Sequence, residues 1–228
     1  MMVAHAEEFW YTAFDNQLDA SLIPAVVSAT RQSGAYVTPT LSTFEAIVDQ
    51  WGRPEKVSEY LANPRAAFVS PSVRMGWQYS DYINRQGDLH PALDFLRTFT
   101  HALQAAGVPL LTGTDSPAIP GMFPGHSIHD ELRNLTQAGL TPFQALSAAT
   151  QTPGEFIEKT VPRVQRFGQV RAGFRADAVL VSGNPLASLE LLRAPLGVMY
   201  GGRWMTADAL EHLRKGLKTR YQTLLTQP

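Results

Sequence analysis

The sequence contains no cysteine. This excludes disulfide bonds, a thiol nucleophile and thiolate ligands for a metal ion, and it is compatible with a reducing cytoplasm, where we expect the protein. No apolar run approaches the ~18 residues that a membrane-spanning helix needs. The first residues also lack the basic start and apolar core of a signal peptide. We therefore expect no membrane partner.

An excess of charge of one sign is also lacking. The chain has 19 Lys and Arg against 20 Asp and Glu, a net charge of −1, and no basic block. A nucleic-acid partner is therefore not expected. Three motifs that carry chemistry elsewhere are missing as well: the G-x-S-x-G turn of serine hydrolases, the Walker phosphate loop and the G-x-G-x-x-G dinucleotide loop.

The composition favours a large buried core. Hydrophobic residues make up 44% of the 228 positions and charged residues 17%, below the ~25% typical of soluble domains. Over residues 1–165, short apolar strands alternate with amphipathic helices, which is typical of α/β architecture. We predict strands at 1–5, 35–41 and 108–112, and one continuous helix at 71–85.

The character of the chain changes after residue 165. Residues 166–205 contain short strand patterns with tight glycine turns, two of them within 168–186, and predict a small β unit. Residues 206–228 predict a terminal amphipathic helix. A closed (β/α)8 barrel needs eight strand–helix units in ~250 residues, whereas residues 1–160 supply about three, so we expect less than half a barrel.

Two metal-binding residue types follow predicted strands. Asp115 comes directly after the strand in "GVPLLTGTDSP", and His5 comes directly after the first strand. In a parallel α/β barrel the functional groups lie at these carboxyl ends. Imidazole and carboxylate both bind Zn²⁺, and a carboxylate can take a proton from metal-bound water. Alternatively, Asp115 forms a turn or caps a helix, and His5 is simply exposed.

Two further histidines, His126 and His129, lie three residues apart in "GHSIHDEL" at a predicted helix start. This spacing can place both on one face of the helix. The alternative is that the segment only caps the helix, with Asp130 and Glu131 favoured by its N-terminus.

Several stretches together resemble the carboxyl-terminal part of the amidohydrolase superfamily, in particular its imidazolonepropionase-like and prolidase-like metal-dependent hydrolases. The stretches are "GVPLLTGTDS", "PGHSIHDELRNLTQAGLTPFQALSAATQTPGEFI" and "GQVRAGFRADAVLVSGNPL". "VAHAEEF" resembles the strand-six segment of that family, and "AYVTPTLST" resembles strand seven. The resemblance implies strands six to eight of a TIM-like barrel, part of a small β-sandwich, and hydrolysis of C–N bonds by a metal-activated water.

By position, the resemblance implies that Asp115 is a metal ligand and the general base, that His5 is a second ligand, and that His126 and His129 lie near the substrate. Zinc is the expected metal, with manganese or iron as alternatives. The family's H-x-H pair is absent, and its strand-four lysine and strand-five histidine have no counterpart here. Three protein ligands are the usual minimum for a catalytic zinc ion.

These observations leave three hypotheses. In the first, the chain is a fragment of a longer hydrolase of amides, cyclic amides or Xaa-Pro-like dipeptides, and is inactive alone. In the second, it is a non-catalytic remnant that forms oligomers; in the third, it is an unrelated small binding protein. Because half a barrel would expose strand edges and apolar surface, we expect a homo-oligomer or a complementary N-terminal half, with a small-molecule substrate for the full-length form.

Overall fold

The computed structural model describes residues 1–226, with side chains through residue 224. A parallel pair of strands lies at its centre: β1 (Met2–Ala4) and β2 (Tyr36–Thr38), in the register Val3 opposite Val37. The crossover between them contains α1 (Ala6–Thr12) and α2 (Ile23–Ser33). The chain is thus mixed α/β, as its alternating pattern predicts.

The strand predicted at 108–112 is reduced to a single parallel bridge between Leu110 and Val37. Two backbone hydrogen bonds hold it, from Val37 to Pro109 and from Leu111 to Val37. The ladder stops there because the next donor in this register is residue 39, and Pro39 has no amide hydrogen. The assignment of these three strands to strands six to eight of a barrel stays a prediction.

Helices follow the second strand and the bridge. They are α3 (Leu41–Gln50), α4 (Pro54–Ala62), α5 (Pro71–Trp77), α6 (His90–Ala105), α7 (Ser127–Gln137), α8 (Pro142–Ala149) and α9 (Gln151–Thr160).

The continuous helix predicted at 71–85 is wrong. Helix α5 ends at Trp77, and a separate 3₁₀ turn occupies Asp81–Asn84. Ser80 between them is extended, with φ −59° and ψ 121°, and its hydroxyl donates to the side chain of Gln50 at 2.8 Å. A tertiary hydrogen bond to α3 therefore accompanies the break that the local pattern does not show.

A three-stranded antiparallel sheet follows, in the order β3 (Ala178–Leu180), β4 (Gly197–Tyr200) and β5 (Arg203–Thr206). Gly201 and Gly202, both at positive φ, form the two-residue turn between β4 and β5. Of the two strands predicted within 168–186, only β3 is present.

The predicted terminal helix is present as α10 (Ala207–Thr226), and its last two predicted residues lie outside the described part. No helix among residues 1–226 combines the length and the apolar character needed to cross a membrane. The proposed boundaries at residues 165 and 205 stay predictions.

The core is centred on α6 and the segments that pack against it. Phe99 is completely buried, and its ring lies 5.1 Å from that of Phe14 and 5.0 Å from that of Phe9. Val37 of β2 belongs to the same cluster. Helices thus cover the parallel strands with apolar side chains, as parallel strands require.

We predict that Phe99→Ala lowers the free energy of unfolding by about 3–5 kcal/mol, because the substitution leaves a cavity where three rings meet. Urea denaturation measures this loss. Phe143→Ala is the matched control, since Phe143 is 63% exposed, and we expect it to change stability by less than about 0.5 kcal/mol. Equal losses in the two variants would contradict the packing described.

Candidate active site

Three residues at the ends of the parallel segments share an uncommon backbone conformation. His5 follows β1 with φ 70°, Thr40 follows β2 with φ 52°, and Asp115 follows the Leu110 bridge with φ 49°. Non-glycine residues rarely adopt positive φ, and such strain is concentrated at functional sites. Because the three segments run in parallel, their ends meet at one edge. We call His5, Thr40 and Asp115 the strand-end site.

The imidazole of His5 is oriented by Thr40. His5 Nδ1 lies 2.9 Å from Thr40 Oγ1, and that hydroxyl donates its single proton to the carbonyl of Pro39 at 2.7 Å. The hydroxyl must therefore accept from Nδ1–H, which leaves Nε2 as the basic nitrogen of His5. Ligating histidines are commonly held in this way, with the second ring nitrogen donating a hydrogen bond.

Close packing positions the segment that leads to Asp115. A Cβ atom on Gly113 would lie only 2.4 Å from Thr38 Cγ2, so only glycine lets this backbone approach β2 so closely. The hydroxyl of Thr43 donates to the carbonyl of Thr114 at 2.7 Å. Asp115 itself is exposed.

Two buried carboxylates, Glu7 and Glu131, lie next to this edge, and we call them the buried carboxylate pair. Glu131 is completely buried, and its Oε2 accepts a 2.6 Å hydrogen bond from the amide of Ser42 at the start of α3. Burial raises the pKa of Glu131 to about 7. Burial likewise raises the pKa of Glu7 to about 7, and the charges of Glu131 and Asp115 add to this rise.

Glu7 connects the pair to the strand-end site. Its Oε1 lies 3.8 Å from His5 Nδ1, and its carboxyl interacts electrostatically with Asp115 and Glu131. Sequence reasoning missed both glutamates. The sequence pattern explains Glu131 only as an acidic residue favoured at the start of its helix. In the structure its carboxylate accepts a hydrogen bond from another helix. Glu131 lies about one helical turn from each of Ser127 and Leu135, and both of these residues are buried on α7. This spacing is the sequence signal that indicates an inward-facing side chain.

His126 and His129 lie at the start of α7, as predicted, among arginines. The ring of His126 is 5.9 Å from that of Phe68. Burial lowers the pKa of both histidines, and nearby positive charges, chiefly those of Arg65 and Arg193, lower it further. Their role in binding substrate stays a prediction.

The donor set of the strand-end site is too small for a complete metal centre. His5 and Asp115 offer two side chains, and three protein ligands are the usual minimum. Nowhere in residues 1–226 are three His, Cys, Asp or Glu side chains grouped so that they could hold a metal ion. The residues present therefore do not fit a metal site formed by this chain alone.

A cleft of about 490 Å³ opens at Asp115. One wall is formed by Val73, Gly76 and Trp77 of α5, and the other by residues 115–118. We call it the α5 cleft.

A second cleft of about 470 Å³ contains Glu45, Arg97 and Arg133. These three charges pair with one another across α3, α6 and α7. Their mutual pairing gives them a structural role, so the α5 cleft is the candidate substrate site.

Comparison with known proteins identifies the family of this chain. The sequence profile of the Amidohydrolase family matches residues 17–205. The chain belongs to the amidohydrolase family. This confirms the resemblance inferred from the sequence motifs.

Individual relatives match parts of longer proteins. Ochratoxinase of Aspergillus niger is 29% identical over 106 residues, which are 46% of this chain and 20% of that protein. A bottromycin amidohydrolase structure is 26% identical with a TM-score of 0.62, covering 82% of this chain and 40% of the other.

A Xaa-Pro dipeptidase structure is 17% identical with a TM-score of 0.51, covering 82% of this chain and 37% of the other, and this likeness shows the fold alone. The chain thus spans about two fifths of the length of these solved relatives. Its match to ochratoxinase covers one fifth of the length of that protein.

We predict that Glu131→Gln changes how stability depends on pH. In the folded state the pKa of Glu131 is about 7 against an ordinary 4.5, so the folded state keeps a proton that the unfolded state releases. This stabilisation is complete below pH 4.5 and is lost as the pH rises through 7. Glutamine does not titrate, so the free energy of unfolding of the variant relative to the wild type should rise by about 2–3 kcal/mol between pH 5 and 8.

Urea denaturation at the two pH values measures this change. Glu55→Gln is the control, since Glu55 is exposed in the first turn of α4 and should show no such change. An unaltered pH dependence in Glu131→Gln would show that this carboxylate does not hold a proton in the folded state.

Proposed function

We propose that this chain carries part of the catalytic site of a hydrolase that cleaves C–N bonds, in an amide, a cyclic amide or a Xaa-Pro-like dipeptide. Membership of the amidohydrolase family supports the reaction class. The name of a relative that is 26% identical, bottromycin amidohydrolase, also describes C–N bond hydrolysis. The observation that carries the proposal is the convergence of His5, Thr40 and Asp115, all at positive φ, at one edge of the sheet.

Asp115 is the proposed general base. Hydrolysis of a C–N bond requires a group that takes a proton from the attacking water, and a positioned carboxylate does this. Asp115 is the acidic residue that opens onto the α5 cleft, and its backbone is fixed on one side by Gly113 and Thr114.

His5 is the proposed donor of a nitrogen ligand. Its hydrogen bond to Thr40 leaves Nε2 basic, and a basic ring nitrogen is what a divalent cation binds. We propose that a divalent metal ion, most simply zinc with manganese and iron as alternatives, binds His5 and Asp115 together with ligands from outside the described residues.

The proposed source of those ligands is a complementary part of the barrel, and a second copy of this chain is the alternative. Strand β1 pairs with β2 on one side, and the exposed side chains of Met1 and Met2 lie at its start. A parallel edge of this kind is suited to pairing with a further strand.

The experiment is hydrolysis at 1 mM zinc, a concentration that loads a weak site by mass action. Purified chain is incubated with an N-acyl amino acid, a cyclic imide and a Xaa-Pro dipeptide, and amine release is measured. Because the chain by itself supplies two of the usual three ligands, we predict slow release from at least one of the three classes only at chain concentrations at which copies of the chain associate and complete the site. Asp115→Asn should lower that rate at least 100-fold, because loss of a general base typically costs 10²–10⁴-fold.

Asp208→Asn is the matched control, since Asp208 is an exposed aspartate at the start of α10, and its rate should equal that of the wild type. Equal rates in the wild type and Asp115→Asn would count against Asp115 as the general base, and no release even where copies of the chain associate would count against a site completed by a second copy. Those results would favour the non-catalytic, oligomer-forming alternative.

A further inference from the structure

We propose that the α5 cleft binds an apolar group of the substrate beside the reacting C–N bond, and that Gly76 sets the size of the group admitted. This proposal rests on the proposed function and narrows its substrate class. The cleft volume of about 490 Å³ lies within the 300–1,000 Å³ usual for small-molecule sites.

The chemistry of the walls selects an apolar group. Val73 and Trp77 on α5 face Pro117 and Ala118 across the cleft, and Asp115 is the charged side chain among the lining residues. Apolar walls with one converging carboxylate fit a ligand that places an uncharged body in the cleft and its reacting bond at Asp115.

The Trp77 wall is held in place before any ligand arrives. Trp77 is 2% exposed, and its Nε1 donates to the carbonyl of Pro117 at 3.0 Å, which joins the two walls directly. Its ring packs edge-on against Phe123 at 5.7 Å. A cleft with fixed walls binds without the entropic cost of ordering them.

A second anchor holds the far end of this segment. Ser80 donates to Gln50, and the side-chain amide of Gln50 donates to the carbonyl of Pro120 at 3.3 Å. Gln50 is completely buried, so it ties the residues after α5 to the loop that carries Asp115. The two walls therefore keep their separation.

Gly76 lines the cleft without contributing a side chain. A Cβ atom built there meets no atom within 4 Å, and the backbone is not at positive φ. The helix therefore accepts a side chain at position 76 without strain, and Gly76 is one of the residues that line the cleft. Val73 and Trp77 are already filled positions, so residue 76 determines how large a group enters.

The nearby surface of α5 and the turn after it is also apolar. Met75 is 59% exposed and Tyr79 is 85% exposed.

The experiment measures binding by ¹⁹F NMR with N-acetyl-4-fluoro-L-phenylalanine as the probe, without added metal. We expect the wild type to bind it and Gly76→Leu to weaken binding at least tenfold. N-acetylglycine, which lacks the ring, should compete at least tenfold less strongly than N-acetyl-L-phenylalanine, as burial of an aromatic ring predicts.

Gly216→Leu is the matched control. Gly216 is an exposed helical glycine in α10, and a Cβ atom there also meets nothing within 4 Å. This variant should bind the probe like the wild type. Circular dichroism checks that both leucine variants fold, and Gly76→Ala should lose less affinity than Gly76→Leu.

The proposed subsite and the proposed hydrolysis are tested independently of each other in this design. The NMR measurement follows binding of the probe and needs no hydrolysis, so the subsite can be established even if no hydrolysis is found. Unchanged affinity in Gly76→Leu, equal competition by the two unfluorinated compounds, or no binding to the wild type would overturn the subsite. Those results would leave hydrolysis by the strand-end site untouched.

Discussion

Parallel pairing of three short segments is the constraint on which the site depends. Hydrogen bonds from β1 to β2 and from β2 to the Leu110 bridge align three chain directions. Residues far apart in sequence, His5, Thr40 and Asp115, therefore end at the same edge. The segments are only one to three residues long, so helices such as α6 must supply the burial that holds them together, and Phe99 lies in the core that does so.

Strain and charge are concentrated at that same edge. Three non-glycine residues at positive φ follow the strands, and two carboxyl groups with a pKa near 7 lie beside them. Each feature lowers the free energy of unfolding, and each is maintained by contacts with other parts of the chain. Gly113 packs closely against Thr38, and Glu131 accepts a hydrogen bond from the start of α3. Such an arrangement is typical of a protein that keeps polar groups in place for binding or chemistry.

The two sides of the proposed site differ in origin. The strand-end site is formed by the sheet edge and supplies polar atoms. The α5 cleft is formed by a helix outside the sheet, held across the Asp115 loop by Trp77 and Gln50. The proposed polar chemistry thus depends on the sheet edge and the proposed ligand selection on α5, and the Asp115 loop belongs to both. Loops of an α/β scaffold commonly carry specificity in this way.

The sequence by itself determined the local features of this protein: the alternating α/β pattern, the carboxylate directly after an apolar segment, the histidine after the first strand and the family motifs. These features depend on neighbouring residues, and spacing encodes them. Other features follow only from the tertiary structure. They are the burial of Glu7 and Glu131, the hydrogen bond that leaves Nε2 of His5 as its basic nitrogen, the end of α5 at Trp77, and the single bridge formed by residues 108–112. Each of these depends on a partner about 30 to 90 residues away or on the exclusion of water, and no local pattern specifies either.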